Sequence, residues 1–440
     1  MKKPLTHIRG RESQQGDAAE ASRLAKWFRL TETDASFVTQ GIHGVHPYPG
    51  RLHPLWARRI LTHLAREIPD CSVLDSFCGS GTVLVEARQQ NIYARGSDIN
   101  PIAIRLARLR NIPHPDPAAI RAEAQRCAEG CLTRRKTPFS ILASQDKEAF
   151  PPHVLAGLIS LRDEIEKCDD RRVREVLLFS LSPLLDKLAA KPKKAAPRVP
   201  RTAVRDFFLE RVDRWIHSFE AMKEYGWAEA EHADARWLPW KPGSASAVIT
   251  SPPYPGVYDY LEAQRRRMLW LGDDSPTRPI RKKEIGRRGG PGLWVEDMGR
   301  SLGQLCRSTK PGSPFYLVLA DGVQGKQVIR ADEAIRRMCT RLPLTFVAAA
   351  SQARPHYHQN TEWAFRGRAR HEHLILLRRT EDPEPPPGQG PSPRRKHSGA
   401  PPRKASGGDS RKRSKSAPKR SPGRKPRTKS SPRRPKKGTE

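Results

Sequence analysis

The chain has 440 residues, an apolar fraction of 36% and a net charge of +34. It is long enough for more than one structural unit, yet so low an apolar fraction implies that part of it stays unfolded. No run approaches the roughly 20 apolar residues of a membrane span, and the polar residues that follow Met1-Lys2-Lys3 exclude a secretory signal.

The seven cysteines are an odd number, scattered along the chain without a CxxC pair. Such a pattern indicates neither a disulfide framework nor a zinc site, and we predict no bound metal. We therefore expect a soluble protein of a reducing, cytoplasmic compartment that has no membrane partner.

The first part of the chain combines a polar segment with an α/β pattern. Residues 1–40 are polar, with one amphipathic stretch from Leu24 to Leu30, and we predict a loosely attached arm. A Gly/Pro/His-rich segment from Gly41 leads into a helical run, WARRILTHLAREI. A buried strand over 72–74, a glycine loop, a helix from Thr82 and a strand ending at Asp98 follow. This succession is typical of the first half of a doubly wound sheet.

The remainder divides into a helical part, a second α/β part and a tail. Residues 111–230 have helical periodicity, and we interpret them as an insertion that could recognise the target. Strands are expected again at 247–250, 315–320, 344–348 and 374–377, with a helix at 295–306. The sequence thus predicts an α/β, Rossmann-like doubly wound fold, formed by a cofactor-binding half (41–110) and a catalytic half (231–380). Residues 381–440 are rich in Lys, Arg, Pro and Ser, and we predict a disordered tail.

The glycine loop resembles a known motif. VLDSFCGSGTVLVEA is similar to motif I of the class I S-adenosylmethionine-dependent methyltransferases, in the DPFCGSGT form of the amino-group methylases, with Ser76 where Pro is usual. The resemblance implies that Asp75 lies near the methionine amino group, that Gly79 and Gly81 let the backbone approach the cofactor, and that Asp98 binds the ribose hydroxyls. An ordinary strand-to-helix turn is the alternative. The implied cofactor is S-adenosylmethionine, held by a loop that also contains Phe77, Cys78, Ser80 and Thr82.

A further acidic residue, Asp234 in HADARWLP, resembles the motif III residue that accepts a hydrogen bond from the adenine amino group. A lone Asp in a turn is equally compatible with a purely structural role. Upstream of the glycine loop, HPYPGRLHP is similar to motif X, and we expect that His46 and Tyr48 reach the site. The alternative is a Pro-rich turn before a helix.

The segment TSPPY follows the strand AVIT and carries the predicted chemistry. The amino group of a base is a poor nucleophile, so acceptors such as the Ser251 hydroxyl and the Pro252 carbonyl would draw it towards tetrahedral geometry. Pro252 and Pro253 restrict φ and hold that carbonyl in place, and Tyr254 offers a face on which an extruded base stacks. A proline-stiffened turn without a catalytic role is the alternative.

By resemblance, TSPPY is commoner among cytosine-N(4) DNA methylases, whereas (D/N)PPY is commoner among adenine and RNA methylases. We therefore expect methylation of the cytosine amino group in DNA, with adenine-N(6) DNA methylation and tRNA or RNA amino-methylation as alternatives. A further alternative is a catalytically inactive DNA-binding protein that has a methylase fold. The absence of Cys from this loop argues against carbon-5 methylation.

The charge indicates a nucleic acid as the partner. The last 60 residues alone carry a net of +14, and neutralised phosphates release counterions on binding. Closer to the reactive loop, Arg265, Arg266 and Arg267 are predicted to face outward and to hold phosphates, although a solvated helix face is equally consistent. We expect a nucleoid-associated enzyme with DNA preferred over RNA, and a restriction nuclease is a possible companion. The sequence leaves the oligomeric state open.

Overall fold

A computed structural model of the chain describes residues 10–111, 113–133, 146–190, 196–222, 226–256, 260–272, 283–286, 290–324, 327–355, 359–367 and 369–381. All of these residues fall in the unit Met1–Glu384. The predicted disordered tail lies outside the described residues except for Glu381. Among the described helices, none is long and apolar enough to cross a bilayer.

Within the described ranges, ten strands form one large sheet and a separate hairpin. They are β1 (Glu12–Gly16), β2 (Ser72–Asp75), β3 (Tyr93–Asp98), β4 (Ala228–His232), β5 (Ala247–Thr250), β6 (Pro314–Ala320), β7 (Gly322–Gln324), β8 (Gln327–Ile329), β9 (Leu344–Arg354) and β10 (Arg370–Arg379). The large sheet has eight strands in the order β1-β9-β10-β6-β5-β2-β3-β4, and β7 pairs with β8.

The helices cover both faces of this sheet and build the insertion. They are α1 (Ala18–Phe28), α2 (Gly41–Gly44), α3 (Pro54–Glu67), α4 (Thr82–Gln89), α5 (Pro101–Asn111), α6 (Pro117–Thr133), α7 (Pro152–Glu166), α8 (Arg171–Leu181), α9 (Leu184–Lys187), α10 (Ala203–Glu220), α11 (Tyr260–Trp270), α12 (Gly290–Ser308), α13 (Ala331–Cys339) and α14 (Gln359–Ala364). A 3-10 helix spans Asp34–Thr39.

The centre of the sheet is parallel and buried. β2 pairs with β3 and β5, β3 with β4, and β5 with β6, all in parallel. Every residue of β5 and β6 is buried, as expected for strands covered by helices on both faces. The chain moves outward from β2 to β4 and then returns to β5 on the other side, so the direction of strand order changes between β2 and β5. Ligands of doubly wound folds bind at this point. The predicted α/β, Rossmann-like fold is therefore confirmed.

The described part of the insertion is mainly helical up to α10, and its helices bury Phe179, Phe208 and Trp215 completely in a shared apolar cluster. The sheet resumes earlier than the sequence indicated, because β4 begins at Ala228, inside the range assigned to the insertion. The segment AEAEH has no apolar run. Its strand lies at the edge of the sheet, where only the alternate residues Ala228 and Ala230 are buried.

The prediction of a loosely attached N-terminal arm is wrong for the described residues 10–40. β1 pairs antiparallel with β9 over five residues, from Glu12↔Gln352 to Gly16↔Ala348. α1 then packs on the sheet through Leu24 and Phe28, which are 0% and 3% exposed. An edge strand bonds through its main chain, so the polar sequence ESQQG forms one without an apolar pattern that would predict it.

Candidate functional site

The glycine turn connects the carboxyl end of β2 to α4. The Cys78 amide donates to the Ser97 carbonyl at 2.9 Å, and the Gly79 amide donates to Asp98 Oδ2 at 2.9 Å. Both contacts are made to the end of β3, the neighbouring parallel strand. The turn is therefore fastened to the strand that supplies the next acidic residue of the site.

Gly79 and Gly81 both have a positive φ, but they differ in the space that a side chain would find. Gly79 has φ +50°, but a Cβ there would meet only Tyr48, at 3.5 Å. Gly81 has φ +82°, and a Cβ there would lie 3.0 Å from the Cβ of Ala107 and 3.1 Å from its Cα. The close approach of the Gly81 backbone to α5 is thus a reason for glycine that the sequence analysis did not give, and its approach to a cofactor stays a prediction.

Two carboxylates, the buried Asp75 and the half-buried Asp98, end the adjacent strands β2 and β3. Asp75 Oδ1 accepts from Thr250 Oγ1 at 2.6 Å and from the Phe77 amide at 3.1 Å. Burial raises the pKa of Asp75 to about 7, against the lowering effect of those two bonds. Burial also raises the pKa of Asp98, whose Oδ1 accepts from the Asn100 amide at 2.8 Å. Both side chains retain lone pairs for a ligand.

A third carboxylate follows β4. Asp234 accepts from Arg236 Nε at 2.9 Å and from Arg236 Nη2 at 2.7 Å, a bidentate pair. Burial alone would raise the pKa of Asp234, but the hydrogen bonds from Arg236 outweigh it and hold that pKa below its usual value. Arg236 also donates to Asp297 on α12 at 2.8 Å. Asp234 is thus an ionised carboxylate in a fixed orientation.

The double-proline turn leaves β5, next to the glycine turn. The Ser251 hydroxyl donates to the Val318 carbonyl of β6 at 2.9 Å, so the lone pairs of its oxygen remain for another donor. Trp294 Nε1, from α12, donates to the Pro253 carbonyl at 3.0 Å. Through the bond between Thr250 and Asp75, the ends of β5 and β2 are connected directly.

Tyr254 is fixed by a buried ion pair. Its hydroxyl donates to Glu372 Oε1 at 2.7 Å, and Glu372 Oε2 accepts from Arg354 Nε at 2.8 Å. Glu372 is 7% exposed and Arg354 is 4% exposed. Arg354 also lies over the ring of Phe28 in α1. The N-terminal segment therefore contributes to the environment of the reactive loop.

The two turns share one cavity. A cleft opens at this edge of the sheet, and its wall includes Asp98, Asp234 and Pro253. A smaller recess, whose wall includes Asp75, Cys78, Ser80 and Thr82, adjoins the cleft. Five residues form part of both walls: Tyr48, Gly50, Phe77, Gly79 and Ser251. The structure thus brings Ser251 together with the predicted cofactor residues other than Gly81, which is not part of either wall.

Of the two predicted motif X residues, only Tyr48 is in this cavity. It is 8% exposed, and its hydroxyl accepts from Asn100 Nδ2 at 3.4 Å. His46 is 0% exposed; it hydrogen-bonds Ser182 at 2.9 Å and packs edge-on against Phe179. The expectation that His46 reaches the site and contacts nucleic acid is wrong, because the insertion covers it.

The three predicted phosphate-binding arginines lie on α11 and differ from one another. Arg265 is exposed, as expected. Arg266 is partly buried and donates to Asp146 at 2.9 Å. Arg267 is 4% exposed and pairs with Asp186. The prediction that Arg267 faces outward is therefore wrong: it connects α11 to the insertion.

Sequence reasoning missed several residues of the site. Asn100 caps α5 through Oδ1 and contacts Tyr48 through Nδ2, Trp294 contacts Pro253, and Glu372 contacts Tyr254. Of these three residues, only Asn100 could have been found from the sequence, since it lies two residues after Asp98 at the end of a predicted strand. The segment Lys283–Ile285 also lines the cleft, although it lies in a basic, glycine-rich stretch without periodicity.

A separate cluster holds the ligand atoms of Asp321, Asp332 and His373 within 4.8 Å of one another. Asp321 already accepts from Arg330 at 2.8 Å and from His373 at 3.0 Å. The other ring nitrogen of His373 bonds Ser351 at 2.7 Å. We interpret the cluster as a buried ion-pair network that connects β6, β9 and β10 with the start of α13.

No protein-family model and no curated protein sequence matches the chain. Solved structures do. A SAM-dependent methyltransferase from Methanosarcina mazei has 10% identity and a TM-score of 0.30, over 73% of this chain and 98% of its own. An rRNA methyltransferase from Streptomyces viridochromogenes has 12% identity and a TM-score of 0.30, over 79% and 93%.

A further solved structure is magnesium protoporphyrin IX methyltransferase from Synechocystis PCC 6803 with bound SAM. It has 10% identity and a TM-score of 0.31, over 82% of this chain and 92% of its own. At these identities and TM-scores, the substrate of any of those proteins does not transfer to this chain.

Proposed function

We propose that the chain is an S-adenosylmethionine-dependent methyltransferase that modifies an exocyclic amino group of a nucleobase, with cytosine N(4) in DNA as the favoured target. One observation carries the proposal: Gly79 and Ser251, from the turns after β2 and β5, line the same cavity. A donor held at the first turn and an acceptor base held at the second would meet there.

The chemistry of the wall fits the proposed cofactor. Asp98 and Asp234 present carboxylate oxygens to the cleft beside the apolar side chains of Phe77 and Ile99. A ribose diol and an adenine amino group are donors that such oxygens accept, and apolar side chains suit the faces of a purine. Asp75, in the adjoining recess, is an acceptor for an ammonium group. When bound, S-adenosylmethionine supplies a methyl group on a positively charged sulfur.

The double-proline turn suits the activation of an amino group. The Ser251 oxygen, oriented by its bond to Val318, accepts a hydrogen bond from the target amine, and the Pro252 carbonyl accepts a second. Such acceptors stabilise the positive charge that develops on the nitrogen during attack. Trp294 fixes the next carbonyl of the turn, which holds the arrangement rigid. In the transfer, the nitrogen would form its bond to the methyl carbon as the carbon–sulfur bond breaks, the neutral thioether would leave with that electron pair, and the proton lost from the nitrogen would pass to solvent.

The choice of nucleic acid rests on charge and that of base on the TSPPY motif. The net charge of +34 favours a polyanion. Exposed Arg265 on α11, ten residues beyond Pro255, remains a proposed phosphate contact. Tyr254 remains the proposed stacking surface for an extruded base, worth about 1–3 kcal/mol per base. We further propose association with the nucleoid.

The test is methyl transfer from radiolabelled S-adenosylmethionine to unmethylated genomic DNA and, in parallel, to total tRNA and rRNA. Labelled nucleosides are then separated by chromatography with mass detection. We expect the label in N(4)-methylcytosine from DNA. Label in N(6)-methyladenine would show that the target base is adenine instead of cytosine, and label confined to RNA would show that the substrate is RNA instead of DNA. Either result would leave the proposed activity, methylation of an exocyclic amino group, unchanged.

Ser251→Ala is the matched variant, since it removes only the proposed acceptor hydroxyl. We expect its turnover to fall by about tenfold to a hundredfold, in keeping with the loss of a charge-stabilising contact, while its affinity for S-adenosylmethionine changes less than about twofold. Ser244→Ala, away from the cavity wall, is the control. If the wild-type protein compacts DNA yet fails to bind S-adenosylmethionine by calorimetry, the chain is a binding protein and the proposal fails.

A further inference from the structure

A second hollow lies at the other edge of the large sheet, where the parallel strands begin. Its wall includes Ser246 and Ser313, which directly precede β5 and β6. β6 runs from this edge towards the cleft over seven residues, which separates the two places by about 20 Å at about 3.3 Å per residue. Among the described residues, none lines both this amino-edge hollow and the cleft or its recess. The amino-edge hollow is therefore separate from the proposed reaction site.

Three polar atoms in the wall of the amino-edge hollow are buried and make no hydrogen bond within the described part of the chain. They are Oγ of Ser313, Nε of Arg23 and Oε2 of Glu20. Ser313 is 4% exposed. Arg23 and Glu20 pair with each other only through their other side-chain atoms, Nη2 and Oε1. Because buried polar groups are normally hydrogen-bonded, three such atoms in one hollow indicate a polar occupant.

Two cationic side chains of the same wall have no carboxylate partner. Lys310 and Arg378 are exposed, and neither forms a salt bridge with a described residue. Arg378 Nη1 donates to the Gly312 carbonyl at 3.0 Å, which holds it against the turn that contains Lys310 and Ser313. A lysine, an arginine and a free hydroxyl are donors that bind a phosphate group. This side of the amino-edge hollow is therefore suited to an anion.

A buried tyrosine adds a donor between charges of both signs. Tyr316 is 2% exposed, and burial raises its pKa to about 12, so its hydroxyl keeps its proton. Among the smaller influences on that pKa, Arg23 and Arg378 lower it. Glu20 and Glu67 raise it, so two carboxylates also lie near this hydroxyl. A ligand in the amino-edge hollow thus meets acceptors as well as donors.

This combination of groups fits a sugar phosphate. The phosphate accepts from the cations and from the hydroxyls of the wall, and the sugar hydroxyls donate to the carboxylates. Inorganic phosphate alone would leave Oε2 of Glu20 without a donor. A sugar without phosphate would leave Lys310 and Arg378 without an anion. A ligand that carries both parts satisfies the whole wall.

We infer that the amino-edge hollow binds a small phosphate ester of a sugar, with the phosphate on Lys310, Ser313 and Arg378 and the sugar hydroxyls on Glu20 and Glu67. The inference goes beyond the proposed function and does not rest on it, because the two sites share no described residue. Either can fail while the other stands. The terminal phosphate of a nucleic acid has the same chemistry, and the experiment distinguishes these two sources.

The experiment is calorimetry of the full chain with ribose 5-phosphate, ribose and inorganic phosphate. We expect one ribose 5-phosphate to bind per chain, at least about tenfold more tightly than ribose or phosphate. In Lys310→Met, affinity for ribose 5-phosphate should fall by about tenfold, since a charge-assisted hydrogen bond is lost. Lys26→Met is the matched control: it removes the same charge from an exposed position on α1 outside the hollow, and it should change the affinity less than about twofold. Equal affinities in the two variants would overturn the inference.

Two further variants test the two ends of the ligand. Ser313→Ala removes only an unpartnered hydroxyl, so it covers the case in which Lys310→Met does not fold, and we expect a loss of about fivefold for ribose 5-phosphate. Glu20→Gln should weaken ribose 5-phosphate by about fivefold and leave inorganic phosphate no weaker, because only the sugar hydroxyls contact this residue. Unchanged binding of ribose 5-phosphate in both variants would contradict the assignment.

The source of the phosphate is tested by competition with a 5′-phosphorylated dinucleotide. If it displaces ribose 5-phosphate from the wild-type protein but not from Lys310→Met, the site takes the end of a nucleic acid, which supports the inference. If it does not displace the smaller ligand, a free sugar phosphate is the source, which also supports it. If neither phosphate ester shows saturable binding that Lys310→Met weakens, the amino-edge hollow is not a phosphate-ester site.

Discussion

The glycine turn and the double-proline turn leave neighbouring strands of one sheet, but they are held in different ways. The glycine turn is fastened by main-chain amides to Ser97 and Asp98, about twenty residues further along the chain. The double-proline turn is fastened by side chains that are distant in sequence. Trp294 and Glu372 lie 41 and 118 residues from the groups they bind.

Because the two turns are held in different ways, we expect changes near them to affect cofactor binding and methyl transfer separately. Local main-chain bonds fix the shape of the cofactor turn once β2 and β3 pair, because both anchors belong to β3. Long-range side chains fix the reactive turn only when the whole sheet is assembled. Faults in the first turn should therefore appear in folding and cofactor affinity. Faults in the supports of the second should appear in turnover with cofactor affinity retained.

The largest effect is expected for Glu372→Ala, which leaves Arg354 buried without its carboxylate. Breaking one side of a buried ion pair costs about 3–5 kcal/mol of the free energy of unfolding. Denaturation in urea measures it. Glu362→Ala, an exposed glutamate on α14, is the control and should change the free energy of unfolding by less than about 0.5 kcal/mol. An equal change in both variants would mean that the ion pair does not support the reactive turn.

We expect the next largest effect for Gly81→Ala. A left-handed φ of +82° opposes any side chain, and the new Cβ would lie 3.0 Å from Ala107. Strain and overpacking together should lower the free energy of unfolding by about 2–3 kcal/mol. Gly79→Ala, whose Cβ would make an ordinary contact with Tyr48 at 3.5 Å, should lower the free energy of unfolding by about 1 kcal/mol. A reversed order would show that the approach to α5 is not what requires glycine at position 81.

These supports also explain what the sequence predicted and what it did not. Asp75, Gly79 and Asp98 belong to a local strand–loop–strand pattern, so their proximity follows from the chain order alone. Glu372 and Trp294 carry no motif and become neighbours of the proline turn only through strand pairing and helix packing. His46 and Arg267 failed as predictions for the same reason, since the insertion that buries them is remote in sequence.

Cofactor affinity should depend on pH through Asp75. Its pKa is raised to about 7 in the free protein, and an ammonium ligand requires the ionised form. As the pH falls below 7, Asp75 takes up a proton that the ligand must displace, so affinity decreases towards acid. Between pH 8 and pH 6 the expected loss is roughly tenfold. Calorimetry across this range measures it, and Asp75→Asn should bind weakly at every pH without this dependence.

The smallest effect concerns Trp294→Phe, which removes the donor to the Pro253 carbonyl and keeps most of the ring. Loss of one hydrogen bond costs about 1 kcal/mol, so turnover should fall by about fivefold if the turn must be rigid when the amine is activated. Trp227→Phe is the matched control, because Trp227 Nε1 donates to Glu229 on an exposed surface. Cofactor affinity should stay unchanged in both. A loss of cofactor affinity in Trp294→Phe with normal turnover at saturation would mean that the two turns are coupled, and the separation of binding from reaction would fail.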